Sequence, residues 1–292
     1  MARVCVVGSV NMDLSMRVDA LPRPGETVLA SSLTYAPGGK GGNQAVAAAR
    51  AGARVQFVGA IGDDPAAAQL RAHLLDNGVG LDATAETTGP SGTAIVVVDA
   101  NAENTIVVAP GANGRLTLDA TAVRSVIADC DVLLTQLEIP VQVAVAAAQQ
   151  ARSAGAVVIV NASPAGQDQS SLTDLAAAAD VVIANEAEAD EWPWRPTHLV
   201  TTLGARGARY VGPDGDFLVP APPVAAVDTT GAGDAFAGVL AGSWPPHPGS
   251  PGQRLRALQR ACAAGALATL LPGAGNCAPD AESIDAALES LA

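Results

Sequence analysis

Asp228-Thr229-Thr230-Gly231-Ala232-Gly233-Asp234 runs directly into Ala235-Phe236-Ala237-Gly238-Val239-Leu240, a glycine-rich turn followed by an apolar helical segment. A turn of this kind at a helix N-terminus leaves several backbone N–H groups without intrahelical partners. Together with the positive end of the helix dipole they form an anion site. Asp234 falls in the first helical turn, beside those donors. A carboxylate there suits a reaction in which a hydroxyl loses a proton while negative charge builds opposite it. Asp is also favoured in any first turn for the dipole alone, so the stretch by itself admits both a catalytic and a plain capping reading.

Outward from this motif the chain alternates between two periodicities. Residues 3–8, 54–60, 131–136, 156–160 and 180–184 read as buried strands, and shorter strands are expected near 198–202, 208–211 and 216–219. Helices are expected over 43–51, from Pro65 to about Asn77, and near 117–128, 141–153, 252–270 and 281–290. Such alternation predicts an α/β fold with a mostly parallel central sheet and helices on both faces. Two stretches interrupt it. Residues 14–36 turn at Pro22, Pro24 and Gly25, and the Val/Ile-rich runs 92–99 and 104–109 flank Asn101-Ala102-Glu103, a hairpin signal. Strands from about 14–36 and 91–109 are expected to form a small β-sheet, a candidate lid. Trp244 to Gly252 reads as a Pro-rich surface loop. With no linker and no repeat, residues 1–292 are read as a single domain.

Composition narrows the function. The net charge is −13, which argues against nucleic acid or an anionic membrane surface as the partner. No apolar run is long enough to span a bilayer, and the N-terminus reads as a strand, so a cytoplasmic protein is expected. Cys5, Cys130, Cys262 and Cys277 show no C-x-x-C spacing and read as reduced thiols. His73, His198 and His247 are widely spread, which disfavours a His-based metal site or triad. Aromatics make up only 3% of the residues, so the core is expected to be Ala, Val and Leu. The chain has fifteen arginines and a single lysine, Lys40, set in Gly38-Gly39-Lys40-Gly41-Gly42-Asn43. A flexible point-charge donor there can reach a ligand. Neither a P-loop nor a dinucleotide fingerprint is present.

Gly38-Gly39-Lys40-Gly41-Gly42-Asn43-Gln44-Ala45 and the late motif Asp228–Asp234 together resemble the ribokinase-like carbohydrate kinases. The resemblance extends over nearly the whole chain. It takes in Asn11-Met12-Asp13, Gly25-Glu26-Thr27, Gly111-Ala112-Asn113, Gln136-Leu137-Glu138, Asn185-Glu186-Ala187-Glu188 and Thr202-Leu203-Gly204-Ala205-Arg206-Gly207. It implies a ribokinase-like fold and transfer of the γ-phosphoryl group of ATP to a primary hydroxyl of a small sugar. Lys40 and Asn43 point within the family to D-ribose and its 5-hydroxyl.

Asp234 would then be the base, and the N–H groups of Gly231, Ala232 and Gly233 would hold the transferring phosphoryl group. Asn11, Met12, Asp13, Gly39, Lys40, Gly41, Gly42, Asn43 and Glu138 would line the sugar site. Carboxylates, carboxamides and one ammonium can satisfy a ring of hydroxyls. Asn185, Thr202, Leu203, Gly204, Ala205, Arg206 and Gly207 would line the nucleotide, together with Gly233 and Asp234. Glu188 would arrange Mg²⁺ through water.

Asp228, Thr230, Ala268, Leu271, Gly273 and Cys277 match the family's monovalent cation site, usually filled by K⁺ as activator. Cys277 departs from the family's usual Ser, and a thiol is a poor ligand for K⁺. Two other departures are a short segment, residues 189–197, after Glu188, and Cys262 where a polar side chain often meets the adenine. The resemblance also implies a homodimer through the lid. Three readings remain open at this level: a pentose kinase, a sister kinase for another sugar, keto-acid sugar or nucleoside, and a catalytically silent sugar- or nucleotide-binding protein.

Overall fold

The computed structural model describes residues 1–101 and 103–290. In chain order its strands are β1 (Arg3–Val7), β2 (Asn11–Arg17), β3 (Ser32–Gly38), β4 (Arg54–Val58), β5 (Ala60–Ile61), β6 (Val79–Gly80), β7 (Ala85–Glu86), β8 (Gly92–Val98), β9 (Asn104–Ala109), β10 (Val132–Thr135), β11 (Val157–Asn161), β12 (Val181–Asn185), β13 (His198–Thr202), β14 (Ala208–Gly212) and β15 (Gly215–Val219). The helices are α1 (Lys40–Arg50), α2 (Ala66–Asp76), α3 (Thr121–Ala128), α4 (Val141–Ser153), α5 (Gln169–Ala178), α6 (Glu186–Glu191), α7 (Ala232–Ser243), α8 (Pro251–Ala268) and α9 (Ala281–Glu289).

Among the described residues, nine strands form the main sheet in the order β15-β14-β13-β12-β11-β10-β1-β4-β6. Pairing is parallel from β13 to β6, and β14 and β15 add an antiparallel edge. Successive side chains of a strand point to opposite faces. Accordingly Val4 and Val6 join one core layer while Cys5 and Val7 join the other, and Val157 and Ile159 separate in the same way from Val158 and Val160. One layer is closed by α1, α2, α7, α8 and α9, the other by α3, α4 and α5. Alanine fills much of both. Where α7 crosses α1, a Cβ on Gly238 would stand 2.3 Å from the Gln44 carbonyl oxygen and 2.8 Å from the Ala47 Cβ, an approach only small residues permit.

The interrupting stretches form a second sheet in the order β3-β2-β8-β9. Its register sets Asn11 opposite Gly38 and Gly92, and Asp13 opposite Ala36 and Ala94. Asn11 and Asp13, two residues apart, therefore share one face. The turn expected at Asn101–Glu103 includes Ala102, which lies outside the described residues. No helix of the described residues is long and apolar enough to cross a membrane.

Several elements differ from the sequence reading. Helix α1 begins at Lys40, three residues before the expected start, with Gly41 and Gly42 inside it. Close contact with the first strand's exit explains Gly41, since a Cβ there would stand 2.7 Å from the Ser9 amide nitrogen. The run 54–60 divides into β4 and the start of β5. Helix α5, which the periodicity does not single out, is capped by Asp168, whose carboxylate accepts from the Ser170 amide. Trp244, expected in a surface loop, is 3% exposed and packs edge-on against His198.

Candidate active site

Parallel strands place their C-terminal ends along one edge, where open α/β sheets build their sites. Ser9 follows β1 there, Gln136 and Glu138 follow β10, and Asn161, Asn185 and Thr202 end β11, β12 and β13. The N-terminus of α7 meets the same edge. Lys40, Asn161, Asn185, Glu188, Thr202 and Asp234 line a cavity of ≈ 200 Å³ there, together with Gly231 and Gly233.

Gly231 caps α7 in the left-handed region, with φ of 80°. A Cβ on it would stand 2.7 Å from the Ala274 Cα and 2.8 Å from the Cys277 Sγ, so glycine is required twice over. Ala232 N–H donates to the Thr229 carbonyl at 3.3 Å, which takes it out of the expected anion hole. Among the described residues the N–H groups of Gly231, Gly233 and Asp234 have no acceptor and remain available.

Asp234 is held from two sides. Asn43 Nδ2 donates to its Oδ2 at 3.0 Å, and Gln44 Nε2 donates to its Oδ1 at 2.9 Å. Burial pushes its pKa up, against the opposing pull of Lys40 and the two amide donors. Across the site Glu138 Oε2 accepts from the Ser9 hydroxyl at 2.6 Å and from the Lys40 amide at 3.1 Å. Ser9 Oγ in turn accepts from the Gly41 amide at 3.3 Å. Asn11 Oδ1 accepts from Asn113 Nδ2 at 2.8 Å, which leaves the Asn11 amide nitrogen as its free donor. Asp13 is pushed up to about 7, by burial first and then by repulsion from Glu138 and Asp234. Its Oδ1 is buried and has no hydrogen-bond partner among the described residues.

The fold thus brings Asn11, Asp13, Gly39, Lys40, Gly41, Asn43, Glu138 and Asp234 near one another. Gly39 lies against Asn11, where a Cβ would stand 2.7 Å from the Asn11 amide nitrogen. Two expected neighbours point elsewhere. The Met12 side chain belongs to the core, and Gly42 faces Val10 and Leu74.

On the opposite wall Asn185 and Glu188 form a reciprocal capping box at the start of α6: Asn185 Oδ1 accepts from the Glu188 amide at 2.8 Å, and Glu188 Oε2 accepts from the Asn185 amide at 2.9 Å. Thr202 reaches the cavity, whereas Leu203, Gly204, Ala205, Arg206 and Gly207 form the turn that follows β13, with Arg206 paired to Glu186 at 2.7 Å. Cys262 is buried, and its thiol donates to the Val219 carbonyl.

Asp228 ties the remaining loop together. Its Oδ1 accepts from the Thr230 amide at 2.9 Å and its Oδ2 from the Gly273 amide at 2.8 Å. Burial alone would push this carboxyl up, but the two N–H donors outweigh it and hold it below the usual range. Burial pushes the Cys277 thiol up to about 11, and it donates to the Ala274 carbonyl at 3.2 Å. Ala268 packs with Ala235 and Cys277, while the Leu271 side chain is exposed. Among the described residues no cluster of three or more His, Cys, Asp and Glu side chains could hold a metal ion by itself.

Sequence reasoning gave no role to Ser9, Gln44, Asn113, Gln136 or Asn161. All but Gln44 sit on, or bind to, the exits of the central strands, and that position was the available signal.

The family model of pfkB family carbohydrate kinases matches residues 1–281. A ribokinase of Bacillus subtilis is 39% identical over 249 residues, covering 81% of this chain and 83% of that protein. Among solved structures, ribokinase of Thermotoga maritima superposes with a TM-score of 0.87 at 28% identity over 99% of this chain and 100% of its own. Ribokinase of Arabidopsis thaliana, complexed with ribose and ATP, gives a TM-score of 0.86 at 27% identity over 99% of both chains.

Proposed function

This chain belongs to the pfkB family of carbohydrate kinases, and from that premise we propose that it transfers the γ-phosphoryl group of ATP to the 5-hydroxyl of D-ribose, giving ribose 5-phosphate. The observation that carries this reading is the position of Asp234, in the first turn of α7 beside free N–H donors and facing the Asn11–Asp13–Glu138 cluster. Phosphoryl transfer asks for positioning and charge stabilisation more than for covalent chemistry. Asp234 takes the proton of the attacking hydroxyl. The N–H groups of Gly231, Gly233 and Asp234 receive the charge of the transferring group, and Lys40 stands between sugar and phosphate.

The sugar is held by Asn11, Asp13, Asn43 and Glu138, with the backbone of Gly39 to Gly41 closing one side. The unpartnered Asp13 Oδ1 favours a ligand rich in hydroxyl donors. The nucleotide lies along Asn161, Asn185 and Thr202, with the turn from Leu203 to Gly207 beside it. Mg²⁺ accompanies ATP near Asn185 and Glu188. Their capping box engages one Glu188 oxygen, which leaves the other for a water of an ion that keeps most of its waters. The ion supplies charge neutralisation at the phosphates.

K⁺ would rest on backbone oxygens in the loop of Asp228, Thr230, Ala268, Leu271, Gly273 and Cys277. Both Asp228 oxygens accept N–H donors and the Cys277 thiol is neutral, so its activation is weak. The whole chain acts as one kinase domain. The four-stranded sheet closes over the sugar as a lid, and its outer strands dock a second copy.

A coupled ADP-release assay with D-ribose, 2-deoxy-D-ribose, D-fructose and adenosine tests the assignment. The account predicts D-ribose as the best acceptor, with an acceptor lacking one recognised hydroxyl poorer by roughly 10²-fold or more in kcat/KM, since buried partners then go unpaired. Preference for a hexose or nucleoside would move the substrate assignment within the family. Absence of turnover with every acceptor, with ATP still bound, would favour a silent binding protein.

A further inference from the structure

An ionised carboxylate only accepts hydrogen bonds. Gln44 therefore presents Nε2 to Asp234 Oδ1, at 2.9 Å, and its Oε1 faces away. Gln136 Nε2 donates to that oxygen at 2.7 Å. The charge on Asp234 thus fixes the direction of two amides in series, across α7, α1 and the exit of β10. Both glutamines are 0% exposed. Gln136 Oε1 ends the series without a partner. The chain makes room for it by having no side chain at position 8, where a Cβ would stand 2.0 Å from that oxygen. Buried amides with an orphaned carbonyl are unfavourable for folding, and apolar side chains would serve the core better. Neither glutamine lines the cavity, so neither is accounted for by ligand binding.

We propose that Gln136 and Gln44 form a two-amide relay that holds the Asp234 carboxylate in the orientation from which it accepts the hydroxyl proton, which makes both of them positioning residues of phosphoryl transfer. Gln44 fixes Oδ1 and Asn43 fixes Oδ2, so the carboxylate cannot rotate and its remaining lone pairs stay aimed at the acceptor site. Gln136 acts only through Gln44, by holding its amide with the nitrogen towards Asp234. The inference rests on Asp234 as the base.

The test compares Gln44→Leu, Gln136→Leu, the double variant and Asp234→Asn by steady-state kinetics, with thermal melting to establish that each is folded. Gln44→Leu is expected to lower kcat about 10–100-fold while both KM values stay within about twofold, the signature of a misaligned group that binds neither substrate. Gln136→Leu is expected to lower kcat about 3–10-fold, and the double variant to be no slower than Gln44→Leu, because the outer amide has nothing left to orient. Rescue by the conservative variant Gln44→Glu is not expected, since a second carboxylate repels the first; Gln136→Asn is expected to be slow for want of reach. A kcat for Gln44→Leu within about twofold of the unaltered protein, or a Gln136→Leu loss that multiplies onto Gln44→Leu, would overturn the relay. Should Gln44→Leu melt below the assay temperature, Gln136→Leu decides alone, and unchanged kcat in it overturns the relay. Asp234→Asn separates the two levels: turnover retained there removes the base itself, whereas turnover lost there with normal Gln44→Leu removes only the relay.

Discussion

Asp13 carries the most consequential charge state in the proposed sugar site. Burial, with Glu138 and Asp234 as like-charged neighbours, brings it up to about 7. In the proposed sugar site, hydroxyls would donate to the ionised form. As pH falls through about 7 Asp13 takes up a proton, loses acceptor capacity and binds the sugar less well. The ribose KM is therefore expected to rise roughly threefold to tenfold between about pH 8 and pH 6, and Asp13→Asn to flatten that rise at a uniformly poorer KM. A ribose KM independent of pH over this range in the unaltered protein would remove Asp13 from the sugar contacts. Gly231 makes a steric argument at the same scale. With φ of 80° and 2.7 Å to Ala274, Gly231→Ala must displace either the α7 cap or the loop behind it. A loss of about 1–3 kcal/mol in thermal or denaturant unfolding is expected, together with a larger loss of kcat than of sugar affinity.

The elements divide by how local their causes are. The loop of Asp228, Thr230, Gly273 and Cys277 is tied by Asp228 to two backbone amides, and the proposed cation site there has a thiol at position 277. Turnover is expected to be less than about twofold faster in K⁺ than in Na⁺ at equal ionic strength, and Cys277→Ser to widen that ratio. An equal ratio in both proteins would place the thiol outside the cation site. The central strands, the separate sheet and the glycine-rich start of α7 were legible because each is written in a local pattern: apolar runs, Val/Ile hairpin arms, glycines before an apolar helix. Helix α5 was not, since Gln169-Ser170-Ser171-Leu172-Thr173-Asp174 looks like loop chemistry until Leu172 and Leu175 are seen to reach the core. The start of α1 is hidden for a related reason. Gly41 and Gly42 read as a turn, but they are helical residues, and Gly41 is kept small by the strand exit beside it. Partners far apart in the chain, such as Asn43 and Asp234 at a separation of 191 residues, left no trace that residue types alone reveal.

At the scale of the whole molecule, one sheet edge collects groups from both ends of the chain, and the second sheet contributes Asn11 and Asp13 from β2. Ile106, Val107 and Val108 of β9 and Leu33 and Tyr35 of β3 are all exposed, on strands at the two edges of that sheet. Paired edges of this kind favour a second copy. Sedimentation is expected to give a dimer, and Val107→Lys to shift it towards monomer with loss of sugar affinity; a monomer at micromolar concentration would remove the proposed dimer through this sheet. The net charge of −13 gives a bound polyanion no general attraction, so in the proposed mechanism turnover would depend on the few donors at the head of α7 and on Asp234 beside them. Single-turnover phosphoryl transfer in Asp234→Asn, with ATP, Mg²⁺ and D-ribose all bound, tests that dependence most directly. The account predicts a rate about 10²–10⁴-fold below that of the unaltered protein with ribose affinity retained; a rate within about tenfold of it would contradict Asp234 as the base.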